Sequence, residues 1–406
     1  MALGTRRPSW GTFSSSMTET GKSERSVDRV SAMRTLKVLL GLSALSGIIH
    51  ASFMAMCLVQ STSSARMLLI LSLFHFSSAA SSLVSSAIVL LIGIKHSLIL
   101  SSLCFSILIF SSMFQNSISF FAGAILGGLG SAMLWTTHGS AVIRSMRFYE
   151  KYSGFNRSSS FGMGSGLSLG IIFAFRSAFS ILLLYINSLS ETQAFIQPSL
   201  FILGSMCLGA SLILTCLPLY ELESSFSVVQ IFTDETMMDP SLNYIDFQLE
   251  EQLAYSEAGL RIPPDLWKNF IHLADPRIYH LVPAWIYNGC ILAFVVSIMK
   301  KSNVPLQVAL AFNLGSTLSS LLAARISDSI GRKTCLLIGG SFHLIAYISF
   351  SLFSRSALSI LHVLITFFLG VGAGIFVSQL YAIMGKIYPS SSESSFSSIS
   401  LCFSSC

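Results

Sequence analysis

The sequence is short of charged side chains, and this shortage excludes a soluble globular protein. Asp, Glu, Lys and Arg make up 10% of the 406 residues, whereas a soluble domain carries about a quarter. The 18 acids and 24 bases are too few to cover a water-exposed surface of this size. Disordered chains are poor in aliphatic residues, so the 52% hydrophobic content excludes disorder as well. The composition therefore predicts lipid as the solvent.

Cysteine and the common enzyme signatures are also scarce. Eight cysteines are too sparse for a disulfide scaffold, and most lie in apolar runs, where we interpret them as small buried hydrophobes. No His-Glu-x-x-His, Cys-x-x-Cys or nucleophile-elbow pattern occurs. We therefore predict that the protein is not an enzyme and uses no metal or cofactor. Acids interrupt the basic residues near the N-terminus, which favours contact with anionic lipid over nucleic-acid binding.

The chain does contain long apolar stretches. Each has about 18 residues or more, the length that crosses ~30 Å of hydrocarbon as a helix. They are continuous rather than alternating, so they fit helices and not the strands of a membrane barrel. We therefore predict an all-α membrane protein with about ten transmembrane helices. The ten stretches span roughly residues 38–59, 67–92, 97–114, 118–138, 160–186, 199–219, 278–299, 304–324, 334–353 and 357–384.

Lysine and arginine are unequally distributed between the loops. With a cytoplasmic N-terminus, 19 of the 24 fall on the cytoplasmic side, Arg144 among them, and four fall on the other side. Cationic loop residues usually collect in the cytoplasm. The remaining one, Arg176, lies within the fifth stretch. We predict a multi-pass integral membrane protein with its N-terminus in the cytoplasm, in the plasma membrane or an endomembrane.

Six apolar stretches, a long polar segment and four more stretches indicate two related halves. The polar segment holds 11 of the 18 acids. We interpret it as a solvated linker, and the alternative is a docking surface for a cytosolic partner. The predicted organisation is a cytoplasmic N-terminal tail 1–37, a first six-helix bundle 38–220, an acidic cytoplasmic loop 221–276, an incomplete second bundle of four helices 277–387 and a Ser-rich tail 388–406.

A short charged loop between the eighth and ninth stretches carries the pattern Asp328-x-x-Gly331-Arg332-Lys333. Glycine permits a tight turn, the two cations suit the cytoplasmic interface, and the carboxylate can pair with a cation or a helix N-terminus. The loop resembles the signature loop of the major facilitator superfamily. That resemblance implies a latch between the halves, in which Asp328 would face Arg157 at the start of the fifth stretch.

A second resemblance covers most of the chain. The run from Gly127 to Ser140, which contains Leu134-Trp135-Thr-Thr-His138-Gly, is similar to a stretch of the uncoordinated-93-like branch of that superfamily, with His138 where the branch usually has Gln. Further similar stretches follow in the same order, from Leu281 to Gly289 and around Gly370. The resemblance implies a major-facilitator-type bundle with 6 + 4 helices, in which the last two helices of the family are missing.

Polar residues within the stretches are the candidates for binding or coupling. No Asp or Glu falls inside the ten stretches, so carboxylate-driven transport is not expected. Imidazole titrates near physiological pH, and His138 is the strongest such candidate. Arg176 either extends to the interface or marks an anion site. The family fold would place Trp135, Asn313 and Gln379 along a central cavity, and plain helix packing explains them equally well.

Two functions remain open. The uncoordinated-93-like resemblance implies a regulator of potassium-channel activity, or a trafficking partner of another membrane protein such as a channel or receptor. The alternative is a carrier that moves a small solute or ion by alternating access. Missing helices and the lack of intramembrane acids favour the first function, whereas the latch loop favours the second. Besides the lipid bilayer, the expected partner is therefore either a membrane protein or a small solute.

Overall fold

The computed structural model of the chain describes residues 20–60, 65–114, 116–153, 157–189, 196–217, 275–302, 304–353, 359–388 and 392–404. Every regular element in these ranges is an α-helix. The helices are α1 (Thr20–Gln60), α2 (Ala65–Ser111), α3 (Ser117–Ser153), α4 (Arg157–Leu189), α5 (Ile196–Cys216), α6 (Pro276–Tyr279), α7 (Val282–Lys301), α8 (Pro305–Ile330), α9 (Arg332–Phe353), α10 (Ser359–Ile387) and α11 (Ser392–Ser404).

Nine helices in the described ranges are long and apolar enough to cross a membrane. The 47 residues of α2 would extend for about 70 Å as one straight helix, more than twice the ~30 Å of hydrocarbon. The backbone of α2 breaks at Gly93, where φ is 82° and ψ is 165°. The segments on either side of Gly93 correspond to the second and third predicted stretches. The helices therefore account for all ten predicted crossings.

Gly331, between α8 and α9, repeats the backbone conformation of Gly93, with φ 84° and ψ 151°. Residues with a Cβ are strained there, so a glycine serves both turns. A lysine follows two residues later in each case, Lys95 in the first half and Lys333 in the second. The two halves therefore share one turn design, although the turn at Gly93 lacks the acid and the arginine of its counterpart.

Small residues bring the helices into close contact. A Cβ on Gly128 of α3 would lie 2.6 Å from the carbonyl oxygen of Phe74 in α2. A Cβ on Gly370 of α10 would overlap the backbone of Phe312 in α8. Close approach increases van der Waals contact, which drives helix association where the surrounding solvent is itself apolar. The glycine-containing stretches of the sequence are therefore contact faces between helices.

The two halves meet mainly where α4 packs on α8 and α10. A Cβ on Gly166 of α4 would lie 2.5 Å from the side chain of Ala324 in α8. Ser165 of α4 donates to the carbonyl oxygen of Ser378 in α10 at 3.0 Å, and the hydroxyls of Ser177 and Thr317 lie 3.5 Å apart. The contact between halves therefore combines small side chains and hydroxyl groups with a buried apolar cluster that includes Phe161 of α4 and Met384 of α10.

The stretch predicted as a Ser-rich tail contains α11, which packs on α2, α3 and α7. Phe396 is 1% exposed and lies on Gly139 of α3, where a Cβ would overlap its ring. Its ring centroid is 4.8 Å from that of Tyr381 in α10. Ser397 donates to the carbonyl oxygen of Ser82 in α2. α11 is therefore a buried helix whose contacts reach both halves.

The ends of the predicted domains differ from those of the helices. α1 begins at Thr20, within the predicted N-terminal tail. Most of the acidic loop lies outside the described residues. Its last acid, Asp275, caps α6 by accepting from the backbone N–H of Arg277 at 2.9 Å. Burial raises the pKa of the Asp275 carboxyl, but the hydrogen bonds from Arg277, the nearby Tyr388 hydroxyl and the charge of Arg277 outweigh this effect and lower the pKa to about 2.

Candidate functional site

The five residues predicted to line a cavity all lie within membrane-length helices, and they come from both halves. His138 and Gln379 are 0% exposed, Asn313 4% and Arg176 7%, while Trp135 is partly buried. Trp135 and His138 belong to α3 and Arg176 to α4, whereas Asn313 belongs to α8 and Gln379 to α10. The structure brings some of them together and separates others.

His138 joins α3 to α4 and α1 through a chain of hydroxyl groups. Its Nε2 lies 2.9 Å from Ser168 Oγ, which lies 2.5 Å from Ser43 Oγ. Ser43 donates its proton to the carbonyl oxygen of Leu39 at 2.8 Å, so the Ser168 hydroxyl must donate to Ser43. Ser168 therefore accepts from His138, which assigns the imidazole proton to Nε2. His138 Nδ1 is left as an acceptor, and no described residue bonds to it.

Arg176 lies beside a second histidine, His50 of α1. Electrostatic interactions link His50 to Arg176 and to His138, and the ring centroids of His50 and Trp135 are 5.0 Å apart. The Arg176 guanidinium carbon is 5.3 Å from the ring centroid of Phe173, one turn earlier in α4. Its Nε has no hydrogen-bond partner among the described residues. An arginine that is 7% exposed points into the protein, which argues against extension to the membrane interface.

Asn313 approaches the same part of α4 from the second half. Its Nδ2 donates to Ser180 Oγ at 3.3 Å, and Ser180 in turn donates to the carbonyl oxygen of Arg176 at 2.9 Å. Because the Ser180 proton is already committed, the Asn313 amide must be the donor, which fixes its orientation. Its Oδ1 is then an acceptor that no described residue satisfies. Asn313 and Arg176 therefore lie on either side of Ser180.

Gln379 lies apart from Asn313. Its Nε2 donates to the carbonyl oxygen of Ala323 at 3.5 Å, and Ala323 follows Asn313 by ten residues in α8, a rise of about 15 Å. Its Oε1 also has no partner among the described residues. The structure therefore groups Trp135 and His138, whose ring centroids are 6.3 Å apart, with Gln379 near their level, since the His138 ring centroid is 6.5 Å from that of Tyr381. Asn313 lies beside Ser180, twelve residues along α4 from the Ser168 that contacts His138, a rise of about 18 Å. Arg176 lies between these two levels.

A family profile described as Major Facilitator Superfamily matches residues 36–406. The chain belongs to the major facilitator superfamily. One similar solved structure is the superfamily's proton:xylose symporter XylE bound to 6-bromo-6-deoxy-D-glucose, with a TM-score of 0.64 and 13% identity over 93% of this chain and 86% of that one. A XylE variant with two tryptophan substitutions gives 0.61 and 14%, over 92% and 85%. No curated protein matches the sequence.

These similarities confirm the predicted fold, a major-facilitator-type helical bundle in a multi-pass membrane protein. Both XylE structures are under 25% identical to the chain, so the likeness concerns the fold alone. The XylE symporter is a transport protein by name, and the superfamily assignment agrees with a helical protein embedded in lipid. The assignment to the uncoordinated-93-like branch stays a prediction.

The predicted latch loop is described in part. Gly331 ends α8 with its N–H bonded to the carbonyl oxygen of Ser327 at 3.0 Å. Arg332 donates to the carbonyl oxygen of Ala382 in α10 at 2.9 Å, which ties the turn to a helix of its own half, and Lys333 is exposed. The side chains of Asp328 and Arg157 lie outside the described residues, so their pairing stays a prediction.

Sequence reasoning missed a buried ion pair in this superfamily member. Arg144, interpreted as a cytoplasmic loop cation, lies inside α3 and is paired with Glu393 of α11. The two side chains are 10% and 4% exposed. The absence of acids from the ten predicted stretches did not exclude a buried carboxylate, because Glu393 lies beyond the last of them. Its position as an acid in an otherwise uncharged Ser-rich segment is the signal that could have drawn attention to it.

Proposed function

We propose that the protein is a carrier that moves a small solute across the membrane by alternating access, with its binding site among the buried polar groups where the halves meet. The observation that carries this proposal is a set of buried polar atoms on α3, α4 and α8 that have no hydrogen-bond partner among the described residues: His138 Nδ1, Arg176 Nε and Asn313 Oδ1. A buried polar atom without a partner costs about 1–3 kcal/mol. A bound solute that supplies the missing partners offsets that cost.

The contact between halves supports the same proposal. Rocking moves one bundle against the other along their contact. Where Gly166 of α4 meets Ala324 of α8 and Ser165 meets Ser378 of α10, the contact is made of small residues, which present shallow surfaces. Turns of the same conformation at Gly93 and Gly331 fit two related bundles that move as units.

The proposal is tested by distances between spin labels on the full chain in lipid nanodiscs. Labels enter through unnatural amino acids because the chain has eight cysteines. α3, α8 and α10 are the fourth, eighth and tenth crossings, so they run in the same direction. One pair is placed where they begin, at Ile118 and Ile360, and one toward where they end, at Arg147 and Ile330; all four are exposed. A control pair, Ile118 with Phe201, lies within the first half.

For a carrier we expect two distance populations for each label pair that crosses the halves. Conditions that lengthen the distance of the pair at one end of the helices should shorten the distance of the pair at the other end. The control pair should show a single distance. Uptake of radiolabelled solutes into proteoliposomes gives the functional counterpart. Single, fixed distances at both ends, together with no uptake above empty liposomes, would contradict the proposal.

The uncoordinated-93-like resemblance supports a second proposal, that the protein regulates a potassium channel or accompanies another membrane protein to its destination. It rests on the run from Leu134 to Gly139, which carries that resemblance. Affinity purification from native membranes tests it. A stoichiometric channel or receptor partner, recovered with a chain that shows no uptake, would support regulation, and uptake without such a partner would contradict it.

A further inference from the structure

We infer that the site around Arg176 binds a small organic carboxylate that also carries a hydroxyl or ammonium group, an inference that rests on the carrier function proposed above. The carboxylate would pair with the guanidinium of Arg176. The second group would donate a hydrogen bond to His138 Nδ1. Both protein groups belong to the first half, and Asn313 of the second half contacts Ser180, one turn after Arg176 in α4.

The requirement for an anion comes from the surroundings of Arg176. The guanidinium is always charged, and the residue is 7% exposed. No carboxylate among the described residues pairs with it, since the buried carboxylate of Glu393 is bonded to Arg144. A charge held away from water without a counter-ion is strongly unfavourable. A planar, bidentate partner such as a carboxylate satisfies the guanidinium best.

The depth of Arg176 fits a transported anion. It lies ten residues before Ile186, the end of the membrane-length part of α4, a distance of about 15 Å along the helix. This is half of the ~30 Å hydrocarbon thickness, so the residue is near the middle of the membrane. Substrates of transporters with two related halves bind near that depth.

The requirement for a donor on the ligand comes from His138. Its Nε2 proton is used by Ser168, which leaves Nδ1 as a bare acceptor. A carboxylate alone would be repelled by that lone pair, whereas a hydroxyl or ammonium group would donate to it. The guanidinium points back along α4 over Phe173, toward the level of Ser168 and therefore of His138.

Aromatic rings lie beside both polar groups. The Trp135 ring centroid is 5.0 Å from that of His50 and 6.3 Å from that of His138, and Phe173 faces the guanidinium. These rings offer apolar faces to the body of a ligand. The combination of one cation, one acceptor and aromatic walls identifies a hydroxy- or aminocarboxylate rather than an inorganic anion.

Four probes separate the parts of this inference by their binding to the purified full chain. Mandelate carries both the carboxylate and the hydroxyl. Phenylglycine replaces the hydroxyl with an ammonium group, phenylacetate lacks the donor, and mandelamide lacks the charge. We expect mandelate or phenylglycine to bind about tenfold or more tightly than mandelamide, and about threefold to tenfold more tightly than phenylacetate. Whichever of mandelate and phenylglycine binds more tightly shows whether the preferred donor is a hydroxyl or an ammonium group.

The variants test each contact by a change in preference rather than by loss of binding. Arg176→Gln should abolish the preference over mandelamide and keep the preference over phenylacetate. His138→Phe should do the reverse. Matched controls are Arg325→Gln, at an exposed arginine, and His343→Phe, at a histidine bonded to the carbonyl oxygen of Leu369 in the second half. Both controls should keep the wild-type order of affinities.

Thermal stability separates a binding role of Arg176 from a structural one. Arg176 has no hydrogen-bond or ion-pair partner among the described residues, and a methionine can keep its packing on Phe173. Arg176→Met should therefore melt at the wild-type temperature or above it without ligand, and should lose the stabilisation that mandelate or phenylglycine gives the wild type. A lower melting temperature without ligand would show that the guanidinium is a structural group and would overturn the inference. So would binding of none of the probes, or binding of inorganic phosphate alone with the same dependence on Arg176.

The inference and the carrier function fail in different ways. Ligand binding that depends on Arg176, without uptake into proteoliposomes, would support the proposed binding site and contradict the proposed carrier function. If a neutral solute is taken up and its uptake is unchanged in Arg176→Gln, the result would support the carrier function and contradict the proposed binding site.

Discussion

The ion pair between Arg144 and Glu393 should contribute strongly to stability, and its removal provides the sharpest test of how α11 is held. The side chains are 10% and 4% exposed, so removing one partner leaves the other charge away from water. Breaking such a pair costs about 3–5 kcal/mol. Glu393→Ala should therefore lower the free energy of unfolding by about that amount, measured by SDS titration from mixed micelles with tryptophan fluorescence.

A double-mutant cycle isolates the pair itself. Replacing both partners, as in Arg144→Met with Glu393→Met, removes both charges and should restore stability to within about 1 kcal/mol of wild type. The matched control is the pair of Arg277, whose side chain is 53% exposed, and the half-buried Asp275, whose side chain is 15% exposed. Arg277→Ala should cost no more than about 1 kcal/mol. If the stability losses of the two single substitutions add up to that of the double variant within about 0.5 kcal/mol, Arg144 and Glu393 do not couple energetically. That result would refute a stabilising ion pair.

Three further predictions concern single positions. Gly139→Leu should detach α11 and lower the melting temperature, because a side chain there overlaps Phe396. The control Gly340→Ala should leave the melting temperature unchanged or raise it, because no atom lies within 4 Å of a Cβ at that position. Gly331→Ala should cost about 1–3 kcal/mol from backbone strain alone, since its φ is +84° with open space around it; unchanged unfolding would contradict the assigned turn. Asp275→Asn should lower stability equally from about pH 5 to 8, and the deficit should shrink as the pH falls from 3.8 toward about 2. The sign follows from a carboxyl whose pKa is depressed in the folded state, which stabilises the fold above its unfolded pKa and loses that effect in acid. A deficit that grows in acid would refute the cap.

The membrane crossings could be predicted because the backbone of a long apolar run in lipid must form a helix. The break in α2 at Gly93 and the turn at Gly331 could also be predicted from the sequence, since glycine adopts conformations that other residues avoid. The helix α11 was not readable from hydropathy. Its serines contribute little apolar surface, and burial of Phe396 and Ser397 depends on partners far away in the sequence.

The candidate site was predicted as a set of residue types but not as an arrangement. Trp135, His138 and Arg176 were chosen as candidates because polar and aromatic residues are conspicuous in apolar stretches. The proton on His138 Nε2 depends on Ser168 and Ser43, which belong to other helices, and no local pattern encodes that chain. Gln379 looked equivalent to Asn313 in sequence, yet its bond to Ala323 holds it at another level.

The docking of α11 has a consequence for biosynthesis. Glu393 follows Arg144 by 249 residues, and at the usual rate of translation the ribosome needs about 12–50 s to make that length. During that interval α2 and α3 are already in the membrane, and the slot that later receives Phe396 is still empty. The first bundle reaches its final packing only after the helix made near the other end arrives. Cells that slow translation or lack a membrane chaperone for the waiting bundle should therefore accumulate an early, protease-sensitive form of the protein.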